Sequence, residues 1–271
     1  MHPVLFKLGP LQIHAYGLML ATSFVLGILL AARRAKKVGI DPNRIMDLGV
    51  VVAVSAIVGA RLFYVVRHLD EFRGHWADTF NPFQSTGQVG IGGLTLLGGV
   101  ILALVTSYIY LRAKGLPFLR VADMVAPSLG LGIFLTRIGC FLNGCCYGVP
   151  TKLPWGVSFP EGCAAHWQYG SVPIHPTQLY SSLGGLIIFL ALLALDRRRA
   201  FDGYLFYFFL IFYGLGRFLV DFVRYYEPSM VLMRLGSVAI SYNQAISLLM
   251  LLAGALGLLL GARKSRVPQT S

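Results

Sequence analysis

The sequence predicts an all-α polytopic membrane protein of about seven transmembrane helices, N-terminus outside and C-terminus inside. Three observations predict it. The 271 residues are 56% hydrophobic and only 13% charged, against about 25% charged in an ordinary soluble domain. The apolar residues gather into separated blocks, each approaching the ~20 residues that a helix needs to cross the hydrocarbon core. Lysine and arginine cluster at alternate ends of those blocks, the pattern expected where positive charge is retained on the cytoplasmic side.

In chain order, residues 1–15 form a short entry stiffened by Pro3 and Pro10. Apolar blocks then run over about Tyr16–Ala32, Asp47–Val66, Val89–Leu111, Val121–Phe141, Gln178–Leu195, Gly203–Val223 and Ala239–Leu260. The first is followed by Arg33, Arg34, Lys36 and Lys37 with no small-residue cleavage site, so it reads as a retained span and not as a signal peptide. Residues 144–175 are the longest non-helical piece and form an outer-face head within a single integral membrane domain, 1–271. One set of connections holds fourteen basic residues: Arg33, Arg34, Lys36, Lys37, Arg44, Arg112, Lys114, Arg120, Arg197, Arg198, Arg199, Arg263, Lys264 and Arg266. The alternating set holds six: Lys7, Arg67, Arg73, Lys152, Arg224 and Arg234. That asymmetry sets the N-out orientation. It also puts His68, His75, Trp76, Trp155, His166, Trp167, Tyr169 and His175 at the outer interface, where amphipathic rings belong.

The net charge of +12 does not point to nucleic acid, because the basic residues sit at block ends and form no continuous face. The bilayer is the expected partner. Gly90, Gly92, Gly93, Gly98, Gly99, Gly130 and Gly132 lie inside spans, where small residues let helix backbones approach. In the third span they also permit a broken helix lining an enclosed cavity. Cys140, Cys145, Cys146 and Cys163 lack a pairing at zinc-finger spacing, so no metal and no cofactor is expected. Buried free thiols and one disulfide both stay open.

Three arginines fall inside spans. A guanidinium at membrane depth costs at least ~2.5–3.5 kcal/mol and is kept where it faces a partner or a wet cavity. Arg137 is followed six residues later by Asn143, and its planar fork of donors suits a phosphate or carboxylate. The competing reading is an arginine paired to a carboxylate to hold helices together. Arg217, Asp221 and Arg224 recur at spacings of four and three, which places them on one helix face. Asp221 would then aim two cations at an anion, while Glu227 beyond it reads as solvated. Arg61 sits near an outer end, from which it can snorkel. His14 and Tyr16 open the first span, and His175, Gln178 and Tyr180 open the fifth; each is either an interfacial anchor or part of the same outer site. No GxSxG elbow, Walker loop or HExxH occurs, so hydrolase, nucleotide and zinc-protease readings have no support. An anionic lipid substrate remains.

These residues resemble the prolipoprotein diacylglyceryl transferases of bacterial inner membranes, over nearly the whole chain. The resemblance is carried by Tyr16-Gly17-Leu18, Gly59-Ala60-Arg61-Leu62, Gly92-Gly93, Gly98-Gly99 and the segment from Arg137 to Gly148. It continues through His175-Pro176-Thr177-Gln178-Leu179-Tyr180 and Gly216-Arg217-Phe218 with Asp221 and Arg224. It implies transfer of the diacylglyceryl group of phosphatidylglycerol onto the lipobox cysteine thiol of a prolipoprotein signal peptide, with release of glycerol phosphate, as the first step of lipoprotein maturation. It further implies that Arg137 and Arg217 bind the head group, that Tyr16 and Asn143 belong to the site, and that Gly148 is a close-packed position. The chain departs from the family pattern at Thr136, Cys140 and Cys145, where well-known members have Gly, Asn and Glu, and at Leu97, where a histidine is often assigned as base. With no histidine there, thiol deprotonation would fall to the arginine field, with Tyr16 or His14 as proton acceptor. The alternatives are a transporter or receptor for an anionic lipid using the same arginines, and a divergent member with another thiol acceptor.

Overall fold

A computed structural model describes residues 4–8, 11–72, 95–226, 230–235 and 238–266. Two short strands, β1 (Val4–Leu8) and β2 (Leu11–His14), precede helix α1 (Ala15–Lys37). Then come α2 (Pro42–Arg67), the single turn α3 (Leu69–Phe72), α4 (Leu96–Ala113) and α5 (Phe118–Asn143). A short α6 (Ala164–Tyr169) lies in the head, followed by α7 (Thr177–Asp196) and α8 (Tyr204–Asp221). The hairpin β3 (Val231–Leu235) and β4 (Val238–Ser241) leads into α9 (Tyr242–Arg266). Among the described residues, α1, α2, α4, α5, α7, α8 and α9 are long and apolar enough to cross a membrane. The chain is therefore a multi-pass membrane protein.

The seven spans expected from the apolar blocks are all present, with ends moved by a few residues. The expected third span began at Val89, and α4 begins at Leu96; residues 73–94, with Gly90, Gly92, Gly93, His75 and Trp76, lie outside the described residues, as does Glu227. The two hairpins were not expected. Each is too short and too mixed in composition to stand out from the neighbouring apolar block.

The chain packs as two compact units. The second unit, Lys7–Gln12 with Ala32–Phe118, is built on α2 against α4. Close approach explains its glycines: the backbones of Gly59 and Gly98 face each other with no room for a Cβ on either. Thr106 Oγ1 donates to Ser55 Oγ at 2.9 Å across the same pair. Pro42 occupies the first turn of α2, where its missing N–H costs nothing, and Asp41 caps it by accepting from Asn43 N at 2.9 Å.

The first unit comprises Met1–Phe6, Ile13–Ala31 and Leu119–Ser271. Its α7 and α8 pack together, and α8 packs along α9. A cluster of Ala126, Ile188, Leu192, Leu205 and Phe209 fills the space between α5, α7 and α8. Gly130 and Gly185 let α5 and α7 touch backbone to backbone; a Cβ on Gly185 would lie 2.7 Å from Phe134 N. The head has a core of its own, with Phe159, Cys163, Ala165 and Ile174 buried against Phe141, Tyr147, Val157 and Tyr169.

Candidate active site

The site is assembled where the C-terminal ends of α5 and α8 meet the head. Residues 147–149 act as a short strand between two partners. Gly148 N donates to His175 O at 3.1 Å, and His175 N donates back to Val149 O at 3.0 Å. On the other side Val149 N donates to Val223 O at 3.0 Å and Tyr225 N to Tyr147 O at 3.1 Å. Glycine is required at 148, since a Cβ would meet His175 Cβ, His175 O and Val223 O, each at 2.6 Å. The start of α7 and the end of α8 are thereby tied to the Arg137 segment through Tyr147, Gly148 and Val149.

Arg217 and Asp221 form the expected i,i+4 ion pair at 3.2 Å, with the Asp221 side chain fully buried. Arg224 does not share their helix face. The helix stops at Asp221, and Arg224 instead pairs in a β-bridge with Gly148. Its guanidinium still returns to the cluster, stacked over the Tyr226 ring at 5.3 Å. Tyr226 is the hub: it receives a hydrogen bond from Arg217 Nη2 at 2.5 Å and donates to Asp221 Oδ1 at 2.7 Å. Burial pushes the Tyr226 hydroxyl up to about 12 against the pull of Arg224 and Arg217, so it stays a donor. Ser241 Oγ holds the second carboxylate oxygen at 3.2 Å.

Arg137 interacts with Cys146, Cys140 and Tyr213, and Tyr213 also interacts with Arg217. Cys146 interacts with both Arg224 and Arg137. Its thiol is pushed well below the ordinary range, first by hydrogen bonds from Cys140 and Cys145 and then by the two guanidinium groups. Tyr16 interacts with the three cysteines and Arg137, and the Asn143 side chain hydrogen-bonds the Cys145 sulfur. All four cysteines are free thiols. Gln178 is buried and donates from Nε2 to Cys145 O at 2.8 Å.

Arg217 is thus paired with Asp221, Arg224 lies beside it, and Arg137 faces the cysteines and Tyr213. Arg217 Nη1 and Arg224 Nε are buried without a hydrogen-bond partner among the described residues, and such donors are costly unless something anionic completes them.

Most of the expected site residues come together here: Tyr16, Arg137, Asn143, Gly148, Gln178, Arg217, Asp221 and Arg224. His175 and Tyr180 form an adjoining group, Nδ1 to Oη at 3.3 Å, with Trp155 Nε1 donating to Tyr180 Oη at 2.7 Å. His14 ends β2 and is exposed. Arg61 belongs to the second unit. It is 2% exposed and stacks over Phe72 at 5.1 Å and Tyr64 at 5.7 Å, so within that unit it packs inward instead of reaching out.

Sequence reasoning missed Tyr213, Tyr226 and Ser241. Tyr213 lies four residues before Arg217, a same-face spacing that could have found it. Tyr226 and Ser241 reach Asp221 from beyond the helix end, and no spacing rule finds such partners.

A model of the prolipoprotein diacylglyceryl transferase family matches residues 3–260. The chain is 35% identical over 269 residues to the phosphatidylglycerol–prolipoprotein diacylglyceryl transferase of Geobacter sulfurreducens, covering 97% of this chain and 96% of that one. It is 34% identical over 224 residues to the protein of the same name from Clostridium tetani, covering 83% and 86%. With that of Methylococcus capsulatus it shares 36% identity over 230 residues, covering 82% and 81%. The end-to-end match explains why one chain carries the seven spans, the buried arginines and the Arg137–Gly148 segment together: it belongs to the prolipoprotein diacylglyceryl transferase family.

Proposed function

We propose that this protein transfers the diacylglyceryl group of phosphatidylglycerol to the lipobox cysteine thiol of prolipoprotein signal peptides. Relatives of the same family carry that activity in their names, and the arginine cluster fits it. In the reaction the acceptor sulfur attacks the glyceryl carbon that carries the phosphate. An S–C bond forms, the C–O bond breaks, and glycerol phosphate leaves with the electron pair while the thiol proton passes to solvent. Negative charge on the departing phosphate grows through the step. Donors set in advance at that position in a low-dielectric site lower the barrier.

Arg137, Arg217 and Arg224 are the groups for that role, with Asp221 and Tyr226 fixing Arg217. The carrying observation is the excess of cation over carboxylate together with the unpartnered Arg217 Nη1 and Arg224 Nε. Tyr16, His14 and Asn143 would face the acceptor, while Gly148 and Gln178 hold the segment in place. His175 and Tyr180 are assigned to substrate contacts as well. The fourteen-to-six charge asymmetry supports an N-out orientation, which puts the site toward the outer, periplasmic side of the bacterial inner membrane.

The test is mass spectrometry of a lipobox peptide incubated with purified protein and phosphatidylglycerol vesicles. Transfer predicts a mass gain of one diacylglyceryl group on the cysteine peptide and none on its serine counterpart. Lipid flip-flop without peptide modification would show a transporter instead.

A further inference from the structure

The thiols of Cys140, Cys145 and Cys146 are a second feature of the site that the lipid phosphate does not need. Their three Sγ atoms all lie within 4.8 Å of one another. Cys140 stands on the last turn of α5, and the other two follow the turn at Gly144, whose φ is 70°. That arrangement is held from several directions. Cys145 N donates to Cys140 O at 3.2 Å, Gln178 Nε2 donates to Cys145 O at 2.8 Å, and Thr177 Oγ1 donates to Cys146 O at 2.8 Å. Cys146 has φ 61° and is the only non-glycine residue at positive φ among the described residues. A side chain there costs roughly 1–2 kcal/mol, and such strain persists where the surroundings over-determine it.

A tetrahedral zinc thiolate with Zn–S near 2.3 Å brings its sulfur atoms to about 3.8 Å from one another. The cluster reaches that spacing with movements of about 1 Å or less. Soft sulfur donors select thiophilic ions such as zinc over hard cations. Three thiolates and a divalent cation carry one net negative charge. Arg137, which hydrogen-bonds Cys146, supplies the matching positive charge and an outer-shell donor. Three protein ligands leave a fourth position open, as in catalytic zinc sites.

We propose that Cys140, Cys145 and Cys146 form a site for one thiophilic cation of the zinc(II) class, whose open position takes the acceptor thiol. The second half of this assignment rests on the transfer reaction proposed above; the first half does not. A thiol coordinated to such a cation is deprotonated outright, which removes the need for a base at Leu97. The thiol proton goes to water and the coordinated sulfur forms the S–C bond. The C–O bond breaks toward the phosphate held by the arginines, and the product thioether, a weaker and uncharged ligand, departs. No oxidant or reductant is required.

The test uses full-length protein in nanodiscs, reduced with a phosphine, stripped by a chelator and titrated with Co²⁺ as a spectroscopic stand-in for zinc. One equivalent should bind with thiolate-to-cobalt charge-transfer absorption that Zn²⁺ displaces. The absorption should disappear in Cys140→Ser, Cys145→Ser and Cys146→Ser and persist in Cys163→Ser, whose thiol bonds Pro160 O. As a check free of folding artefacts, Zn²⁺ should protect the three wild-type thiols from alkylation, counted by peptide mass. A cysteine lipobox peptide should shift the cobalt ligand-field bands, and its serine counterpart should not. Absence of charge transfer in the wild type, or its survival in the triple serine variant, would overturn the site. Bands indifferent to the cysteine peptide, or equal transfer rates for stripped and zinc-loaded protein, would overturn the acceptor role. Cobalt bound as expected in a protein that transfers nothing would leave the metal site standing and refute the transfer reaction.

Discussion

Helices α5 and α8 carry an arginine–aspartate cluster at each end, and the two clusters are built to opposite rules. At the start of α8, Arg120, Arg199, Asp123 and Asp202 answer one another. Asp123, on α5, is fully buried and accepts from Gly203 N at 2.8 Å and Phe206 N at 3.0 Å, capping α8 where Gly203 turns in with φ 98°. Arg199 lies 3.7 Å from Asp123 and 3.1 Å from Asp202, and Arg120 lies 3.1 Å from Asp202. Two cations meet two carboxylates. At the other end Arg217 pairs with Asp221, Arg224 stacks on Tyr226 and Arg137 faces Cys146, and two buried guanidinium nitrogens have no hydrogen-bond partner among the described residues. The first cluster is complete as it stands and belongs to folding. The second leaves two buried donors open among the described residues, which is what the proposed anion site needs.

That contrast gives a ranked set of outcomes. Arg137→Ala should lower transfer by about 10²–10³-fold, the loss typical of removing one donor to a developing oxyanion, at an unchanged thermal midpoint; peptide mass gain over time measures it. Gly148→Ala should cost about 1–3 kcal/mol of stability through overpacking. It should also lower transfer more than ten-fold by displacing Arg224, and the two effects are read by thermal unfolding and by rate per folded molecule. Asp123→Ala should behave in the reverse way, losing about 1–2 kcal/mol with the α8 cap while transfer per folded molecule stays at the wild-type level. Tyr226→Phe removes two hydrogen bonds, one from Arg217 and one to Asp221, at a cost of about 1–3 kcal/mol, seen as at least roughly a five-fold slower transfer.

Tyr226 also fixes a pH window. Its folded pKa, pushed up to about 12, lies above the ordinary tyrosine value of about 10. The group therefore contributes its full stability below about pH 10 and loses it as pH rises toward 12. The stability gap between wild type and Tyr226→Phe should be constant below that window and shrink within it, as followed by urea unfolding across pH.

Much of this was legible in the chain. Hydropathy blocks gave the seven spans because an apolar run of that length has few other places to go. Arg137 and Arg217 stood out because a charge at membrane depth needs a reason. Spacing found the Arg217–Asp221 pair, but it also placed Arg224 on the same helix face, and the helix ends three residues earlier. What ends it there is tertiary pairing with Gly148, which local pattern does not encode. Cys140, Cys145 and Cys146 carry no metal reading in the sequence because they match no zinc-finger spacing; their convergence depends on the turn at Gly144 and on Thr177 and Gln178 gripping the carbonyls. The hairpins before α1 and α9 were hidden in apolar flanks.

The most direct test of the contrast pairs one arginine from each cluster. Transfer to a lipobox peptide is measured for Arg217→Ala and Arg199→Ala at matched folded fraction. If the unpaired cluster receives the lipid phosphate, Arg217→Ala falls by at least about 100-fold and Arg199→Ala keeps the wild-type rate per folded molecule. Full transfer by Arg217→Ala, or equal losses in both, would contradict it.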